Sequence, residues 1–286
     1  MTGAAHDPGG AGVASDGQPT RRWRWRRILR VIAIALLAAV VLGVIGFLWW
    51  VQPQPLLPEA TAALASTDRA TYDGAGGLIT YTPTAGQPTT GLILYPGGKV
   101  PPAAYAPQAR TIAEAGYLVV IVSVPFDLAV FDIGAARPVM TAHPEIHHWV
   151  VGGHSLGGAM AAQFLAGDPG AAEGLVFWAA YASTDISAQH LAVASIYGSL
   201  DTGVPSYTSP TALANVGPDL TTTVIEGGNH EQMGWYTGQP NDPPATISRV
   251  DQQAQVIVAT EALLDAIGDP VRQPSAQVTG RIAAQP

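Results

Sequence analysis

The stretch 150–166, VVGGHSLGGAMAAQFLA, constrains the fold of this chain more than any other. A serine stands between glycines at positions 153 and 157, after an apolar run and before a helix-forming run. Glycines at these two positions remove the side chains that would collide where a strand bends sharply into a helix. The pattern therefore predicts a strand, a tight bend that exposes the Ser155 hydroxyl, and a helix whose first turn has free backbone N–H groups.

Short apolar runs alternate with helix-forming stretches along most of the chain. We predict strands at 77–83, 91–98, 117–125, 148–155, 174–181, 194–201 and 221–230, and helices at 105–116, 131–142, 156–166, 207–215 and 248–267. The Gly- and Pro-containing stretch between the first two strands predicts that they form a hairpin. The alternation predicts an α/β fold, a mainly parallel doubly wound sheet with helices on both faces. Residues 182–193, between two of the strands, are too few for a large lid.

A single transmembrane helix is predicted ahead of this domain. The run Val31–Val51 contains no charged residue, and at about 1.5 Å per residue it would cross a hydrocarbon core of roughly 30 Å. Six arginines lie within 21–30. Because arginine clusters stay on the cytoplasmic side, we expect a cytoplasmic N-terminus and an extracytoplasmic domain in the cell membrane. A cleaved signal peptide and a twin-arginine export signal are the alternatives.

Composition divides the chain into segments and excludes several functions. The predicted segments are a disordered basic cytoplasmic tail (1–27), the transmembrane helix (28–51), a Pro-rich linker (52–70), the α/β domain (71–268) and a disordered C-terminal tail (269–286). The net charge is −8, with the positive charge concentrated near the N-terminus, so the domain is a poor match for a nucleic-acid backbone. The chain has no cysteine, which excludes disulfides, thiolate metal sites and a cysteine nucleophile.

Two further side chains are predicted to make the serine reactive. A serine hydroxyl is a weak nucleophile unless a base accepts its proton. His230 ends the run VIEGGNH, at the strand edge where open α/β sheets bind ligands, and is the predicted base. Asp201 ends the run SIYGSLD at the same edge and is predicted to orient the imidazole, with Asp185 as the alternative.

The remaining site predictions concern the oxyanion and the substrate. The backbone N–H of Leu156, at the start of the predicted helix, is expected to bind an oxyanion. A second donor is expected from Gly98 or Lys99 in the glycine-containing run LYPGGK. Trp235 and Tyr236 are predicted to form one wall of the substrate pocket, with a packed surface loop as the alternative.

The motifs GHSLGG, YGSLD and GGNH together resemble the α/β-hydrolase superfamily, across Thr71–Ile267. The runs YPGGKVPPAAY and EGGNHEQMGWY are similar to a branch of small bacterial serine hydrolases that are dienelactone-hydrolase-like. The resemblance implies an acyl-enzyme mechanism on carboxylic esters or related acyl compounds, with no metal or organic cofactor. Dienelactone hydrolases proper use a cysteine, so their substrate is not implied. The alternatives are an acyltransferase with the same triad and a catalytically silent, membrane-tethered binding module.

Overall fold

The first of two compact units is a long apolar helix. A computed structural model describes residues 21–268, and the chain divides into units at the boundary between Trp50 and Val51. Helix α1 is Arg21–Trp50, so it begins before the predicted boundary at residue 28. By length and composition, Trp25–Trp50 is able to cross a membrane, with a mean hydropathy of 3.0 and none of its most apolar stretch buried. The predicted tail 269–286, and residues 1–20 of the predicted tail 1–27, lie outside the described residues.

The second unit is a sheet with helices on both faces. Its strands are β1 (Ala70–Asp73), β2 (Ile79–Pro83), β3 (Thr90–Tyr95), β4 (Leu118–Ile121), β5 (His148–His154), β6 (Gly174–Trp178), β7 (Ala192–Gly198) and β8 (Leu220–Ile225). Its α-helices are α2 (Pro58–Ala62), α3 (Ala106–Glu114), α4 (Ala136–Ala142), α5 (Leu156–Gly167), α6 (Val204–Tyr207), α7 (Pro210–Val216) and α8 (Arg249–Ile267). Short 3₁₀ turns lie at Ala75–Gly77, Pro102–Tyr105, Pro125–Asp127, Ala129–Phe131, Ile133–Ala135, Ser187–Gln189 and Glu231–Met233.

The strand order is β1-β2-β4-β3-β5-β6-β7-β8, and β3 to β8 run parallel. The predicted α/β architecture is confirmed, but the predicted hairpin between 77–83 and 91–98 is wrong. Strand β4 lies between β2 and β3, and β2 instead forms a hairpin with β1. All six residues of β3 are buried, which suits a strand with a parallel neighbour on each side. The crossover through α3 places β4 in the position that the predicted hairpin required.

Two hydrophobic layers enclose the sheet because successive strand residues face opposite sides. In β3, Leu92 and Leu94 join the layer that also contains α3 and α8 side chains, whereas Ile93 joins the layer that contains α4 and α5 side chains. Helix α8 begins after Ser248, whose hydroxyl accepts the backbone N–H of Asp251 in a capping interaction. The layers hold the sheet rigid, so the loops at the carboxyl ends of the parallel strands have a fixed base.

Two predicted helices are interrupted. The predicted helix 131–142 is helical only from Ala136, and two 3₁₀ turns precede it. The predicted helix 207–215 is two short helices, because Pro210 starts a new helix that is capped by the Ser209 hydroxyl. The helices predicted at 105–116, 156–166 and 248–267 are confirmed as α3, α5 and α8.

The predicted linker 52–70 is part of the second unit, which corrects its description as a spacer. The Leu57 N–H donates to the Trp235 carbonyl at 3.0 Å, and the Gln54 N–H donates to the Lys99 carbonyl at 2.8 Å. Ala60, in α2, is fully buried. An extended Pro-rich segment leaves its backbone groups free to pair with another segment, and here two loops of the domain are those partners.

Candidate active site

Ser155 stands on a strained bend between β5 and α5. Its φ of 51° and ψ of −120° are unusual for a residue with a side chain. The strand and the helix approach so closely that a Cβ on Gly153 would lie 2.9 Å from the Gly157 carbonyl carbon. A Cβ on Gly157 would lie 2.3 Å from the Tyr95 carbonyl oxygen. Gly153 is therefore required by the bend, as the sequence predicts, whereas Gly157 is required by the close approach of α5 to the end of β3. The bend presents Ser155 at the carboxyl edge of the sheet.

Asp201 and His230 form a buried hydrogen-bonded pair at the same edge. Asp201 follows β7 and His230 follows β8, and Asp201 Oδ2 lies 2.8 Å from His230 Nδ1. The Asp201 side chain is 1% exposed and that of His230 is 10% exposed. With Nδ1 engaged by the carboxylate, Nε2 is the nitrogen left to accept a proton. The alternative, Asp185, instead accepts hydrogen bonds from its own neighbour Ser187.

The imidazole of His230 lies next to the bend that carries the serine. The residue before Ser155 is His154, and its ring centroid lies 4.5 Å from that of His230. The three predicted catalytic positions, 155, 201 and 230, thus follow β5, β7 and β8 at the same rim of the sheet. Catalysis by a serine hydroxyl needs a base that accepts its proton, and His230 is the imidazole that packs against the residue before Ser155.

Tyr207 is a site residue that the sequence did not reveal. Its hydroxyl donates to Asp201 Oδ2 at 3.0 Å, while the Gly203 N–H donates to Oδ1 at 2.7 Å. Burial, followed by the nearby Asp201 charge, raises the pKa of Tyr207 far above its ordinary value of 10, so the hydroxyl keeps its proton and remains a donor. No local pattern marks this residue, because the contact depends on how α6 turns back over the carboxylate.

A second carboxylate, also missed, holds the loop that carries His230. Asp242 accepts the backbone N–H of His230 at 3.2 Å and that of Glu231 at 2.7 Å. Burial raises the pKa of Asp242 above its ordinary value, although these two hydrogen bonds act in the opposite direction. The contact fixes the start of the loop, and with it the position of the imidazole.

The two predicted oxyanion donors of the LYPGGK loop differ in their availability. The Lys99 N–H donates to the Asp127 carbonyl at 2.7 Å, so it is already engaged, and the prediction for Lys99 is corrected. A Cβ on Gly98 would lie 3.7 Å from the Leu156 Cβ, which makes Gly98 and Leu156 neighbours. Within the described part of the chain, neither of their N–H groups has a hydrogen-bond acceptor. Of the three predicted donors, the N–H groups of Gly98 and Leu156 are therefore the two without an acceptor in this part of the chain.

A cavity of about 450 Å³ opens beside Ser155. Its lining comes from α5, the loop after β6 and the segment after Asp201, and consists of Ser155, Leu156, Ala159, Met160, Ala179, Ala180, Tyr181, Ser183, Gly203, Ser206 and Tyr207. None of these described side chains carries a formal charge at neutral pH. The cavity is thus a mostly apolar cleft with the serine at its margin.

Trp235 and Tyr236 do not line this cavity, which corrects the predicted pocket wall. Tyr236 is fully buried and pairs with Leu56 in an isolated β-bridge. Trp235 lines a separate hollow with residues of α3 and α8, and its backbone N–H donates to the Ala104 carbonyl at 2.7 Å. These backbone bonds join the segment to the turn Pro102–Tyr105 and to Leu56, and the Tyr236 ring centroid lies 6.1 Å from that of His154, behind the serine bend.

Comparison with known proteins agrees with this architecture. A family model described as "Alpha/beta hydrolase family" matches residues 91–254. No curated protein sequence matches the chain. The crystal structure of TT1662 from Thermus thermophilus is similar, with a TM-score of 0.50 and 15% sequence identity over 70% of this chain and 99% of that one. Such low identity shows the fold alone, but the family match covers more than half of the sequence. The chain therefore belongs to the alpha/beta hydrolase family.

Proposed function

We propose that the protein is a membrane-anchored serine hydrolase that cleaves carboxylic esters or related acyl compounds. Ser155 is the nucleophile, His230 the general base and Asp201 the group that orients the imidazole. The observation that carries this proposal is the 2.8 Å contact between Asp201 Oδ2 and His230 Nδ1, buried beside the strained bend at Ser155. A buried carboxylate fixes the tautomer of the imidazole and stabilises the imidazolium that forms during the reaction.

The proposed mechanism has two stages. In the first, Ser155 Oγ attacks the substrate carbonyl carbon while His230 Nε2 takes its proton. The N–H groups of Leu156 and Gly98 donate to the resulting oxyanion. The bond to the leaving group then breaks, and His230 returns the proton to the departing alcohol. In the second stage, a water molecule attacks the acyl-enzyme through the same base, which releases the acid and restores Ser155.

The cavity supports an uncharged acyl group of limited size as the substrate. Leu156, Met160 and Tyr181 supply apolar surface, and no acidic or basic side chain among the lining residues would balance a charged substrate. A volume of about 450 Å³ lies within the range of small-molecule sites, roughly 300–1,000 Å³. We therefore expect short neutral esters to react faster than long-chain or anionic ones.

Helix α1 supports the proposed anchor. Its span Trp25–Trp50 is apolar enough for a bilayer, and arginines cluster at its N-terminal end, which favours the cytoplasmic side. The hydrolase unit would then lie outside the cytoplasm. Protease added to intact cells should cleave this unit, and protection of the unit until the cells are opened would contradict the orientation.

Labelling of the full-length chain in detergent with a fluorophosphonate probe tests the proposed chemistry. We expect the wild type to be labelled and the Ser155→Ala variant to remain unlabelled, because the probe reacts only with an activated serine. Ser183→Ala is the matched control, since Ser183 lines the same cavity and has no assigned catalytic role. A folded wild type that takes up no probe, or labelling that survives Ser155→Ala, would contradict the proposal.

A further inference from the structure

Two buried hydrogen bonds and one ring contact join the LYPGGK loop to His230, the proposed general base. The Gly97 N–H donates to the Tyr105 hydroxyl oxygen at 2.9 Å, and that oxygen lies 2.8 Å from His154 Nδ1. The His154 ring in turn lies against the His230 ring, with centroids 4.5 Å apart. Tyr105 and His154 are each 1% exposed. The proposed mechanism uses neither side chain, although both are polar and fully buried.

Tyr105 and His154 form a neutral hydrogen-bonded pair. In the Nε2–H tautomer of His154, the Tyr105 hydroxyl donates to Nδ1 while its oxygen accepts the Gly97 N–H. Burial raises the pKa of Tyr105 far above its ordinary value of 10. Burial, followed by the neighbouring His230 imidazole, holds the pKa of His154 well below 6.5, against an opposing effect of the His230 backbone. Both side chains thus remain neutral.

Gly97 packs tightly against the side chains of both Tyr105 and His154. A Cβ on Gly97 would lie 2.6 Å from His154 Nδ1 and 2.9 Å from the Tyr105 hydroxyl, so only glycine fits between them. Gly97 immediately precedes Gly98, whose N–H is the proposed oxyanion donor. Any movement of the Tyr105 hydroxyl would therefore shift the residue next to that donor.

We propose that Tyr105 and His154 are positioning residues that couple the oxyanion loop to the general base, an inference that rests on the proposed serine hydrolase function. Tyr105 holds Gly97, and through it the Gly98 N–H, at the distance that the oxyanion requires. His154 supports the imidazole of His230 from the side of the serine bend. Its neutral ring also places no positive charge beside the His230 imidazolium that forms when Ser155 attacks.

Substitution of Tyr105 and of His154 in the full-length chain tests this coupling. The kinetics are measured in detergent with p-nitrophenyl butyrate as the substrate. We expect Tyr105→Phe and His154→Leu each to lower kcat about 10- to 100-fold with little change in KM, because small displacements of catalytic groups cost this much. The double variant should be no slower than the slower single variant, since both changes break one link. His154→Asn should retain more activity than His154→Leu, because its amide oxygen is able to accept the Tyr105 proton.

Tyr117→Phe is the matched control. Tyr117 is buried in the same way, and its hydroxyl donates to Asp265 Oδ1 on α8 at 2.5 Å, at the amino end of β4 and so at the sheet edge opposite the site. Its removal should lower the melting temperature about as much as Tyr105→Phe but leave kcat nearly unchanged. Equal losses of kcat in Tyr117→Phe and Tyr105→Phe, or an unchanged kcat in a folded Tyr105→Phe or His154→Leu, would overturn the inference. A wild type that hydrolyses no ester and takes up no fluorophosphonate would instead refute the proposed function, on which the coupling depends.

Discussion

The Asp201 carboxylate depends on three donors, and Tyr207 supplies the one that is easiest to remove. Tyr207→Phe keeps the ring but deletes the hydrogen bond to Oδ2. One lost hydrogen bond to a charged acceptor, at about 1.5 kcal/mol, should lower kcat roughly 10-fold. KM should change little because the hydroxyl faces the carboxylate. Steady-state kinetics of the full-length chain on a short ester provide the measurement.

Tyr197→Phe is the control for this variant. The Tyr197 ring packs 5.5 Å from that of Tyr207 and is also buried, but in the described part of the chain its hydroxyl has no hydrogen-bond partner. Its removal should leave kcat unchanged. If both variants lose activity equally, the effect comes from packing, and Tyr207 has no specific role in orienting Asp201.

His154 should make the stability of the domain depend on pH. Its pKa in the folded chain is held well below the 6.5 of an exposed histidine. Below pH 6.5, His154 is therefore protonated in the unfolded chain but stays unprotonated in the folded chain. The stabilisation is complete above pH 6.5 and is lost as the pH falls, by up to about 1.4 kcal/mol per pH unit.

Melting temperatures at pH 7 and pH 5 test this prediction. The fall between the two pH values should be smaller in His154→Asn than in the wild type, because an amide does not titrate. Substitution of the exposed His190 by Asn should leave this difference in melting temperature unchanged. Parallel falls in wild type and His154→Asn would show that this residue does not control the acid sensitivity.

The bend between β5 and α5 depends on glycine only where the backbone is crowded. Gly158→Ala would place a Cβ 2.5 Å from that of Ala180, in a fully packed layer, and should destabilise the domain by about 2 kcal/mol or more. At the other end of α5, a Cβ added to Gly167 would meet no atom within 4 Å. Gly167→Ala should therefore stabilise the helix by up to about 1 kcal/mol. Thermal unfolding of both variants checks this, and equal effects would contradict the crowding argument.

Elements that depend on local chemistry were predictable from the sequence, whereas the order of strands in the sheet and the long-range side-chain contacts were not. The bend at Ser155 follows from glycine spacing, and α8 from a serine cap and apolar periodicity. The place of β4 between β2 and β3 depends on a crossover through α3, which no local pattern encodes. The same is true of the site. Asp201 and His230 follow the apolar runs that form β7 and β8 and are visible in the sequence, but the contacts of Tyr207 are made by a turn whose direction depends on tertiary packing.

The whole catalytic unit extends further toward the N-terminus than its motifs suggest. Segment 52–69 pairs with the LYPGGK loop, through Gln54 to Lys99, and with the loop after His230, through Leu57 to Trp235. The Tyr81 hydroxyl, on β2, also donates to the Ala63 carbonyl at 2.7 Å. The segment that follows the apolar helix is therefore a structural part of the hydrolase unit, and it contacts the oxyanion loop directly.

Two truncated chains separate the role of this segment from that of α1. A chain that begins at Val51 loses the apolar helix and the residues before it, and should keep the folded second unit and its esterase activity. A chain that begins at Ala70 loses the hydrogen bonds that join segment 52–69 to the rest of the unit, each worth about 1 kcal/mol, and should melt more than roughly 10 °C lower. Its kcat should also fall, because the Lys99 carbonyl loses its Gln54 partner beside the oxyanion loop. Melting temperature and kcat of the two purified chains decide the question: identical values would mean that segment 52–69 is a passive spacer, as its proline content alone suggests.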